Sequence, residues 1–335
     1  MMEHVYADFT DLSKQDQIKL FNRLKTEFFS NDEEEIADTY TTIRETRFSE
    51  GLGCVHCGSV KVKRNGKYRG RQRYYCHDCC KSFNDLTNTP ISGSRYLGKW
   101  AKYFRMMIEG FTLPKIAEEL KIHISTCFYW RHKILFALRS LGFQGLKGIV
   151  ESDDTFYKES FKGRKVEGRD PKKRGGRDPK RGISSLKIAV VVAQDRNGQV
   201  VVRKAGRGRV RAEEIDAVIG EYIDPSALLC TDTATNYKKF ALDKGLKHET
   251  INVSKEGYVK KGIYHVQHVN SFHKRLRDWM DRFQGVATKY LDNYLYWFKF
   301  LQQNKKLTTK DRVKGMMLGS CQNPNYITVK YLREV

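Results

Sequence analysis

The chain is poor in acidic residues relative to basic ones. Its 39 Asp and Glu stand against 62 Lys and Arg, which gives 335 residues a formal net charge of +23. It also lacks any run of eighteen apolar residues, which excludes a membrane-spanning helix. The opening residues show no basic segment followed by an apolar one, as a secretory leader would. We therefore expect a cytoplasmic, nucleoid-associated protein without a membrane partner.

Two catalytic signatures are also missing from the sequence. There is no GxSxG motif, which excludes the nucleophile elbow of serine hydrolases. The stretch 206–210 is rich in Gly and Arg but lacks the Lys-Ser/Thr ending of a phosphate-binding loop. The eight cysteines do not form a disulfide-like framework and suit a reducing compartment.

The excess of basic over acidic residues indicates a polyanionic partner. Cationic side chains increase the affinity of a protein for nucleic acid by releasing counterions that are condensed on the phosphates. The pI is about 9.6. A ribosome-associated protein could share this charge, so charge alone indicates only nucleic acid. With 40% apolar residues the chain can bury a sizeable core, and its length predicts two or more domains.

Two CxxC pairs are the strongest local signal. Cys54 and Cys57 form the first pair, Cys76 and Cys79 form the second, and eighteen residues separate the two pairs. This spacing is typical of a structural zinc site with four thiolate ligands. Basic and apolar residues alternate between the pairs around Gly66 and Gly70, which predicts hairpin strands and hence a zinc ribbon. Unligated buried cysteines are the alternative, and His56 and His77 are possible substitute ligands.

Helices are predicted on both sides of the ribbon. Residues 1–45 predict one amphipathic helix that packs or binds a partner, with Ser13 as N-cap and an acidic run after it. Its apolar face contains Ile18, Phe21, Leu24 and Phe28. After the ribbon, helices are predicted at 100–109, 112–120 and 125–140, with Thr112 and Ser125 as N-caps.

The short connection between the last two of these helices is typical of a helix-turn-helix, although such pairs also occur in proteins that never touch DNA. The side chains available to the DNA would be Thr126, Tyr129, Arg131, His132 and Lys133. Phe128, Ile134, Leu135 and Leu138 would face the core.

A third region begins with a strand that carries acids. Residues 148–157 are apolar at their ends and acidic in the middle, and burying carboxylates is costly unless they are paired or bind metal. Strands are also predicted at 186–193 and 199–204, joined by a hairpin through Asn197-Gly198. A helix at 212–222 and a strand at 227–232 that again ends in an acid follow. Three antiparallel strands, then helix, strand and helix, form a ribonuclease H-like arrangement.

Three sequence blocks resemble a known family. They are Val150-Glu-Ser-Asp-Asp-Thr-Phe-Tyr157, Cys230-Thr-Asp-Thr-Ala-Thr-Asn-Tyr237 and His268-Val-Asn-Ser-Phe-His-Lys-Arg-Leu-Arg277. In this order, after a zinc ribbon, they resemble bacterial insertion-sequence DDE-type transposases of the ISXO2-like group. Residues 282–297 resemble the stretch that follows the third block there, so the resemblance runs from about Cys54 to Trp297.

The resemblance implies roles for individual residues. Asp153 is the first catalytic acid, Asp232 the second, and Asn270 occupies the third position, where a subgroup of the family has Asn. An amide oxygen can still ligate Mg²⁺ but adds no negative charge. Arg277 stands where similar proteins have Lys, and it would clamp a phosphate in a bidentate way.

Alternatives to these ligands remain open in the sequence. Asp154 competes with Asp153, because neighbouring strand residues point to opposite faces and the register is not known. The other possible third ligands are His265, His268, Asp278, Asp281 and Glu256.

A basic segment separates the first two strands of this region. Residues 158–184 contain two near-copies of Gly-Arg-Asp-Pro-Lys, which predicts a mobile loop that orders on DNA or, more simply, a solvated charge run. The candidate DNA-binding residues are Arg131, Lys133, Lys172, Lys173, Arg174, Lys180, Arg181 and Lys274. The apolar residues 290–301 recur at helical spacing and predict a core helix.

The predicted architecture is multidomain α+β. It comprises an N-terminal helical segment (1–45), a zinc ribbon (46–92), a helix-turn-helix region (93–145), a ribonuclease H-like α/β catalytic domain with a mixed sheet (146–310) and a tail (311–335). The expected protein is a transposase with structural Zn²⁺ and catalytic Mg²⁺ or Mn²⁺. It binds double-stranded DNA at the transposon ends and the target as a dimer or higher oligomer. The alternatives are a catalytically inactive DNA-binding regulator and a metal-dependent nuclease that resolves branched DNA.

Overall fold

A computed structural model describes residues 2–29, 32–163, 182–322 and 326–334. The predicted DNA contacts Lys172, Lys173, Arg174, Lys180 and Arg181 lie outside the described residues. The chain divides into two compact units, one formed by residues 1–109 with 313–324 and the other by residues 110–312 with 325–335. The boundary at 109/110 divides the predicted helix-turn-helix region between them.

The elements follow one another along both units. The helices are α1 (Met2–Thr10), α2 (Lys14–Phe29), α3 (Asp32–Arg47), α4 (Trp100–Ile108), α5 (Leu113–Leu120), α6 (Ile124–Arg139), α7 (Ala212–Ile219), α8 (Thr235–Asp243), α9 (Val253–Glu256), α10 (Gln267–Asp281), α11 (Leu291–Gln303), α12 (Thr309–Gln322) and α13 (Val329–Glu334). The strands are β1 (Val62–Tyr68), β2 (Arg71–Cys76), β3 (Ser82–Phe83), β4 (Ile149–Lys158), β5 (Lys187–Asp195), β6 (Val200–Arg207), β7 (Leu228–Thr231) and β8 (Lys247–Thr250). Among these described helices, none is long and apolar enough to cross a membrane.

The N-terminal segment forms three helices rather than the single one predicted. Ser13 caps α2 as expected, because its Oγ accepts a hydrogen bond from the backbone N–H of Asp16 at 3.2 Å. The acidic run lies inside α3 instead of following the helical segment. Ile18, Phe21 and Leu24 are exposed, and Phe28 is not among the described side chains.

The ribbon hairpin forms where the alternating pattern predicts it. β1 and β2 pair antiparallel from Val62 opposite Cys76 to Tyr68 opposite Arg71, and β3 pairs with β2. The two turn residues, Arg69 (φ 49°) and Gly70 (φ 76°), both adopt the left-handed conformation that tight hairpins require. The pairing shifts register between Arg64 and Lys67.

The second unit is built on a five-stranded mixed sheet of order β6-β5-β4-β7-β8. β4, β5 and β6 are antiparallel neighbours, whereas β7 pairs parallel to both β4 and β8. The predicted order of three antiparallel strands, helix, strand and helix is therefore present. The hairpin between β5 and β6 turns at Gly198 (φ 85°), where Asp195 Oδ1 accepts hydrogen bonds from the backbone N–H groups of Asn197 and Gln199, each at 2.9 Å.

Helices cover both faces of this sheet. On one face, Val150 and Val191 pack with Ile215 of α7 and Phe240 of α8. On the other face lie α10 and α11. Trp297 and Leu295 of α11 are fully buried, which confirms that the apolar recurrence at 290–301 marks a core helix.

Helices α5 and α6 follow the predicted spacing, but their details correct two predictions. His123, not Ser125, caps α6, since its Nδ1 accepts from the backbone N–H of Ser125 at 3.2 Å. Thr112 occupies the N-cap position of α5 without a side-chain hydrogen bond.

Arg131 is not presented on the exposed face of α6, because it is only 1% exposed. One guanidinium nitrogen donates to the carbonyl of Phe111 at 2.6 Å, and its guanidinium carbon lies 4.9 Å from the ring centre of Trp297. His132 is equally buried and shares a 3.1 Å hydrogen bond with Asn293. Arg131 and His132 are therefore buried against α11 rather than exposed on α6, and their predicted contact with DNA stays a prediction.

The opposite side of α6 is covered by the C-terminal segment. Arg333 Nε donates to the hydroxyl of Tyr129 at 3.1 Å, and Lys133 Nζ lies 5.6 Å from the ring centre of Tyr326. Burial lowers the pKa of Lys133. The exposed part of α6 is its N-terminal turn, which includes Ile124 and Ser125.

Candidate active site and metal sites

The four cysteines of the ribbon converge on one point. The sulfurs of Cys54 and Cys79 lie 3.6 Å apart, as do those of Cys57 and Cys76. All four sulfurs lie within 4.8 Å of one another. With Zn–S bonds of about 2.3 Å, tetrahedral geometry places thiolate sulfurs about 3.8 Å apart. The donor set and spacing therefore fit a zinc ion.

The alternative ligands of the ribbon do not join this cluster. His56 and His77 are not among the converging donors. Cys80 is exposed and its sulfur lies 3.7 Å from the carbonyl oxygen of His77. The candidate zinc ligands remain the four cysteines of the two CxxC pairs.

The register of β4 separates its neighbouring aspartates. The side chains of Glu151 and Thr155 reach α10, whereas Ser152 reaches Tyr237 of α8. Side chains alternate between the faces of a strand, so Asp153 lies on the α10 face and Asp154 on the α8 face. This placement favours Asp153 as the partner of any group on α10.

The second candidate acid lies beside the first in the sheet. β4 and β7 run parallel with Glu151 opposite Cys230. Continued by two residues, that register brings Asp232 level with Asp153 just past the end of β7. Asp232 is exposed and turns the chain into α8, since its Oδ1 accepts from the backbone N–H of Ala234 at 2.9 Å.

Helix α10 brings two polar side chains to this end of the sheet, and Asn270 lies one turn before them. His273 Nδ1 lies 3.6 Å from Asp153 Oδ2, and Arg277 donates to the hydroxyl of Thr155 at 3.1 Å. Asn270 is exposed in the first turn, three residues before His273 and thus on the same side of the helix. His273 is 3% exposed, and its Nε2 has no partner among the described residues.

The electrostatics of this cluster favour a cation. Burial, then the charges of Asp154 and Asp232, raises the pKa of Asp153 to about 7, against the opposing effect of Arg277. Burial, then the charge of Asp232, raises the pKa of Asp154 to about 6. Burial and Arg277 lower the pKa of His273 to about 4, so its ring is neutral near pH 7. Crowded carboxylates beside a neutral imidazole are a donor set that suits a divalent cation.

Glu151 is a structural residue that the sequence predictions missed. It is fully buried, and its Oε2 accepts from the backbone N–H groups of His268 and Val269 at 2.8 and 3.3 Å. A carboxylate at a helix N-terminus satisfies unpaired N–H groups and the helix dipole. Glu151 therefore fixes the start of α10, next to Asn270. Its sequence signal is an acid in the apolar first half of a strand, ahead of the two aspartates.

The two histidines predicted as alternative third ligands belong to this same cluster. His265 and His268 lie 3.3 and 2.6 Å from Glu151 Oε1, a grouping that could in principle hold a metal. However, a guanidinium nitrogen of Arg196 lies 2.8 Å from that same carboxylate oxygen, and also 2.8 Å from His265 Nε2 and from His268 Nδ1. Arg196 thus supplies the positive charge at this point.

The remaining candidates are distributed along and before α10. Lys274, Asp278 and Asp281 are exposed on this helix. The side chain of Glu256 is not among the described ones.

The region that carries these residues matches a known family of proteins. Residues 145–302 match the ISXO2-like transposase domain. A relative described as an "uncharacterized protein in transposable element ISH50" of Halobacterium salinarum is 27% identical over 285 residues, covering 82% of this chain and 93% of the relative. The family resemblance drawn from the three sequence blocks is confirmed.

Solved structures give much weaker matches. A pre-cleavage Mos1 transpososome is 11% identical with a TM-score of 0.21, covering 68% of this chain and 79% of that one. The Mos1 mariner paired end complex with Mn is 12% identical with a TM-score of 0.22, covering 65% and 77%. At TM-scores this low, the function of this chain has to be inferred from its own sheet register and side-chain contacts.

Proposed function

Because residues 145–302 form an ISXO2-like transposase domain, we propose that this protein is the transposase of an insertion sequence and cuts and joins DNA with divalent metal ions. The supporting observation is the placement of Asp153 level with Asp232, on the sheet face that α10 covers with His273 and Arg277. The strand order around these acids supports a ribonuclease H-like catalytic domain. The match to a protein of another transposable element supports the same assignment.

Asp153, Asp232 and the amide oxygen of Asn270 would hold Mg²⁺ or Mn²⁺. When bound, the ions activate the attacking oxygen and stabilise the leaving oxygen of an in-line displacement at phosphorus. No covalent protein nucleophile is needed. Water would cut at the transposon end, and the freed 3′ hydroxyl would attack target DNA in the same site.

Other side chains would orient the reacting groups. Thr155 accepts one N–H of Arg277 and so orients the guanidinium, whose remaining donors suit a DNA phosphate. His273 contacts Asp153 from the buried side and limits the rotation of the carboxylate. Because this imidazole is neutral near pH 7, it does not compete with the cation for the carboxylate charge.

We propose the remaining assignments on the same basis. A zinc ion on the four cysteines would hold the ribbon, which with α5 and α6 would bind double-stranded DNA near the nucleoid. Lys133 and Lys274 stay candidate phosphate contacts. Pairing of two transposon ends would require a dimer or a higher oligomer.

A DNA-binding regulator without catalysis is the second candidate, and Asn270 is the observation that favours it. An amide at the third position brings no charge to a site where the other ligands are carboxylates. Such a protein would bind the same ends without cutting them in any metal.

The two candidates separate in a cleavage assay on duplex DNA made from the sequences that flank the gene. We expect nicking by the wild type with Mg²⁺ or Mn²⁺ and loss of nicking in Asp232→Ala. Asp243→Asn, an exposed aspartate of α8, is the matched control and should cut normally. Specific binding without any nicking would establish the regulator instead.

A further inference from the structure

A cavity of about 650 Å³ lies in the second unit, outside the carboxylate site. It opens between the start of α5, the first half of α6 beyond its first turn, the turn that follows α10, the start of α11 and helix α13. This volume falls within the range of small-molecule and cofactor sites. The proposed chemistry at Asp153 and Asp232 makes no use of it.

Among the described residues, those that line the cavity include cations and no carboxylate. The basic lining residues are Arg131, Lys162, Arg282, Lys289 and Arg333. Five positive charges without an acid on the same wall exceed the charge of one phosphate group. The wall therefore suits consecutive phosphates of a nucleic acid strand better than a single small anion.

Aromatic rings interleave with these cations. The aromatic lining residues are Phe128, Tyr129, Phe283, Tyr290 and Tyr294. Rings next to basic groups are the combination with which proteins hold unpaired bases, since every base has a flat face that stacks on an aromatic ring.

Arg131 provides an independent observation, a buried hydrogen-bond donor that lacks an acceptor among the described residues. It is 1% exposed, and although one terminal nitrogen bonds the Phe111 carbonyl, its Nε is buried without a hydrogen-bond partner among the described residues. A buried donor of this kind usually has an acceptor. An anionic ligand in the cavity that Arg131 lines would supply acceptor oxygens.

The turn at residues 283–285, which lines the cavity, is held in place without a ligand. Lys162 Nζ donates to the carbonyl oxygens of Phe283, Gln284 and Gly285 at 3.3, 3.4 and 3.1 Å. Gln284 and Gly285 both have positive φ, at 54° and 90°. These hydrogen bonds fix the turn in advance, which reduces the conformational entropy that is lost when a ligand binds.

We propose that this cavity binds one unpaired nucleotide of a DNA strand, with the base among the rings and the adjoining phosphates on the cations. The inference rests on the proposed function and adds a second DNA-binding site to the carboxylate site. Arg282 lies twelve residues beyond Asn270 along α10, roughly 18 Å at 1.5 Å per residue. At about 3.4 Å per nucleotide, that places the captured nucleotide roughly five positions from the reacting phosphate.

The test compares two duplexes of one sequence by fluorescence anisotropy, one fully paired and one with a single unpaired nucleotide. We expect the full-length wild type to bind the bulged duplex about tenfold more tightly, the size of one base–aromatic stack. Tyr129→Leu keeps an apolar side chain but removes the ring, and Arg282→Gln removes an exposed charge. Each should reduce the preference to below about twofold while the thermal melt stays within about 2 °C of wild type.

Lys239→Gln, which removes a charge from α8 on the other face of the sheet, is the matched control and should keep the tenfold preference. Equal affinity of the wild type for both duplexes would overturn the cavity assignment while leaving DNA binding intact. Failure to bind either duplex would overturn the proposed function itself. Tight binding of free dAMP, with a Kd under about 10 µM and loss of the bulge preference, would make this a mononucleotide site and contradict the proposal.

Discussion

The four-cysteine cluster and the carboxylate cluster are both candidate metal sites, yet they differ in how complete their sets of ligands are. In the ribbon, four sulfurs lie within 4.8 Å of one another, two pairs of them at 3.6 Å, so a zinc ion there would have four protein ligands and no open position. At the carboxylate site, two aspartates on β4 share a region with Asp232, and the two aspartates have raised pKa values. The first arrangement is typical of a structural ion and the second of a catalytic one, which keeps positions for substrate.

The difference predicts what each region would gain from a bound metal ion. A structural zinc site is part of the folding free energy, because its ligands come together only in the folded chain. A catalytic site is held by the scaffold around it, here by Glu151 at the start of α10 and by the buried sheet. Without a bound cation, the negative charges of Asp153, Asp154 and Asp232 repel each other. Loss of metal should therefore unfold one region and leave the other folded but inactive.

The largest effect should come from Cys76→Ser. Cys76 is fully buried and its sulfur lies 3.6 Å from that of Cys57, so the variant loses one of four converging ligands. We expect zinc content to fall from one per chain to well below one, and the ribbon to lose several kcal/mol of stability. Atomic absorption and thermal melting measure both. Cys80→Ser is the control, and a Cys76→Ser protein with full zinc and full stability would refute the ribbon site.

Next in size is the loss of cleavage in Asp153→Asn. The carboxylate faces α10, so we expect nicking to fall at least about a thousandfold, or roughly 4 kcal/mol of transition-state stabilisation. Asp154→Asn, whose side chain points to the α8 face, should lose much less. Initial rates on the same end duplex compare the two. Equal losses would show that strand register does not decide which aspartate binds metal.

Asn270 should have an intermediate effect. Asn270→Ala removes a neutral ligand, and we expect cleavage to fall about tenfold to a hundredfold at subsaturating Mg²⁺ with partial recovery at higher concentrations. Asn270→Asp should lower the metal concentration needed for half-maximal rate. Metal titrations of the rate distinguish these outcomes. An unchanged rate in Asn270→Ala would move the third ligand elsewhere.

The smallest effect is a pH-dependent gain of stability in the metal-free Asp153→Asn protein. The folded pKa of Asp153, about 7, lies above its usual value, so the folded state binds this proton more tightly than the unfolded state does. Wild-type stability is therefore lost as pH rises toward 7, and the variant avoids that loss. We expect its advantage to grow between pH 5 and pH 7 and level off above, at roughly 1 to 3 kcal/mol after allowance for partial solvent exposure.

Urea unfolding in Mg²⁺-free buffer, with zinc left in place, measures this difference at each pH. Asp243→Asn should show no such trend. Added Mn²⁺ should reverse the order, because it stabilises only the protein that binds it. An advantage that is constant across this pH range would show that burial and the neighbouring carboxylates do not raise the pKa of Asp153 in the folded protein.

The sequence predicted the ribbon hairpin and the order of strands β4 to β7 because their signals are local. CxxC spacing, the Asn197-Gly198 turn, the acids in the middle of one strand and the acid at the end of another each depend on a few neighbouring residues. The strand order then places Asp153 and Asp232 together. The choice between Asp153 and Asp154 needed the observed contacts of their neighbours on β4.

Tertiary packing determines which polar side chains are buried, and the sequence did not predict this. Arg131 and Lys133 look like surface cations of a recognition helix, but α11 buries the first, and Tyr326 of the C-terminal segment lies beside the second. Nothing in the spacing of α6 shows that helix α13, almost two hundred residues later, packs on it. Glu151 likewise shows its role only through the backbone N–H groups of α10.

DNA cleavage should depend, above all, on a divalent ion at Asp153 and Asp232. The most direct measurement is nicking of the end duplex by zinc-loaded wild-type protein in metal-depleted buffer, with Mg²⁺ or Mn²⁺ then added back. We expect no nicking before addition, nicking at the transposon ends after it, and no recovery in the Asp153→Asn/Asp232→Ala protein. Nicking that needs no added metal, or that the double variant retains, would contradict this dependence.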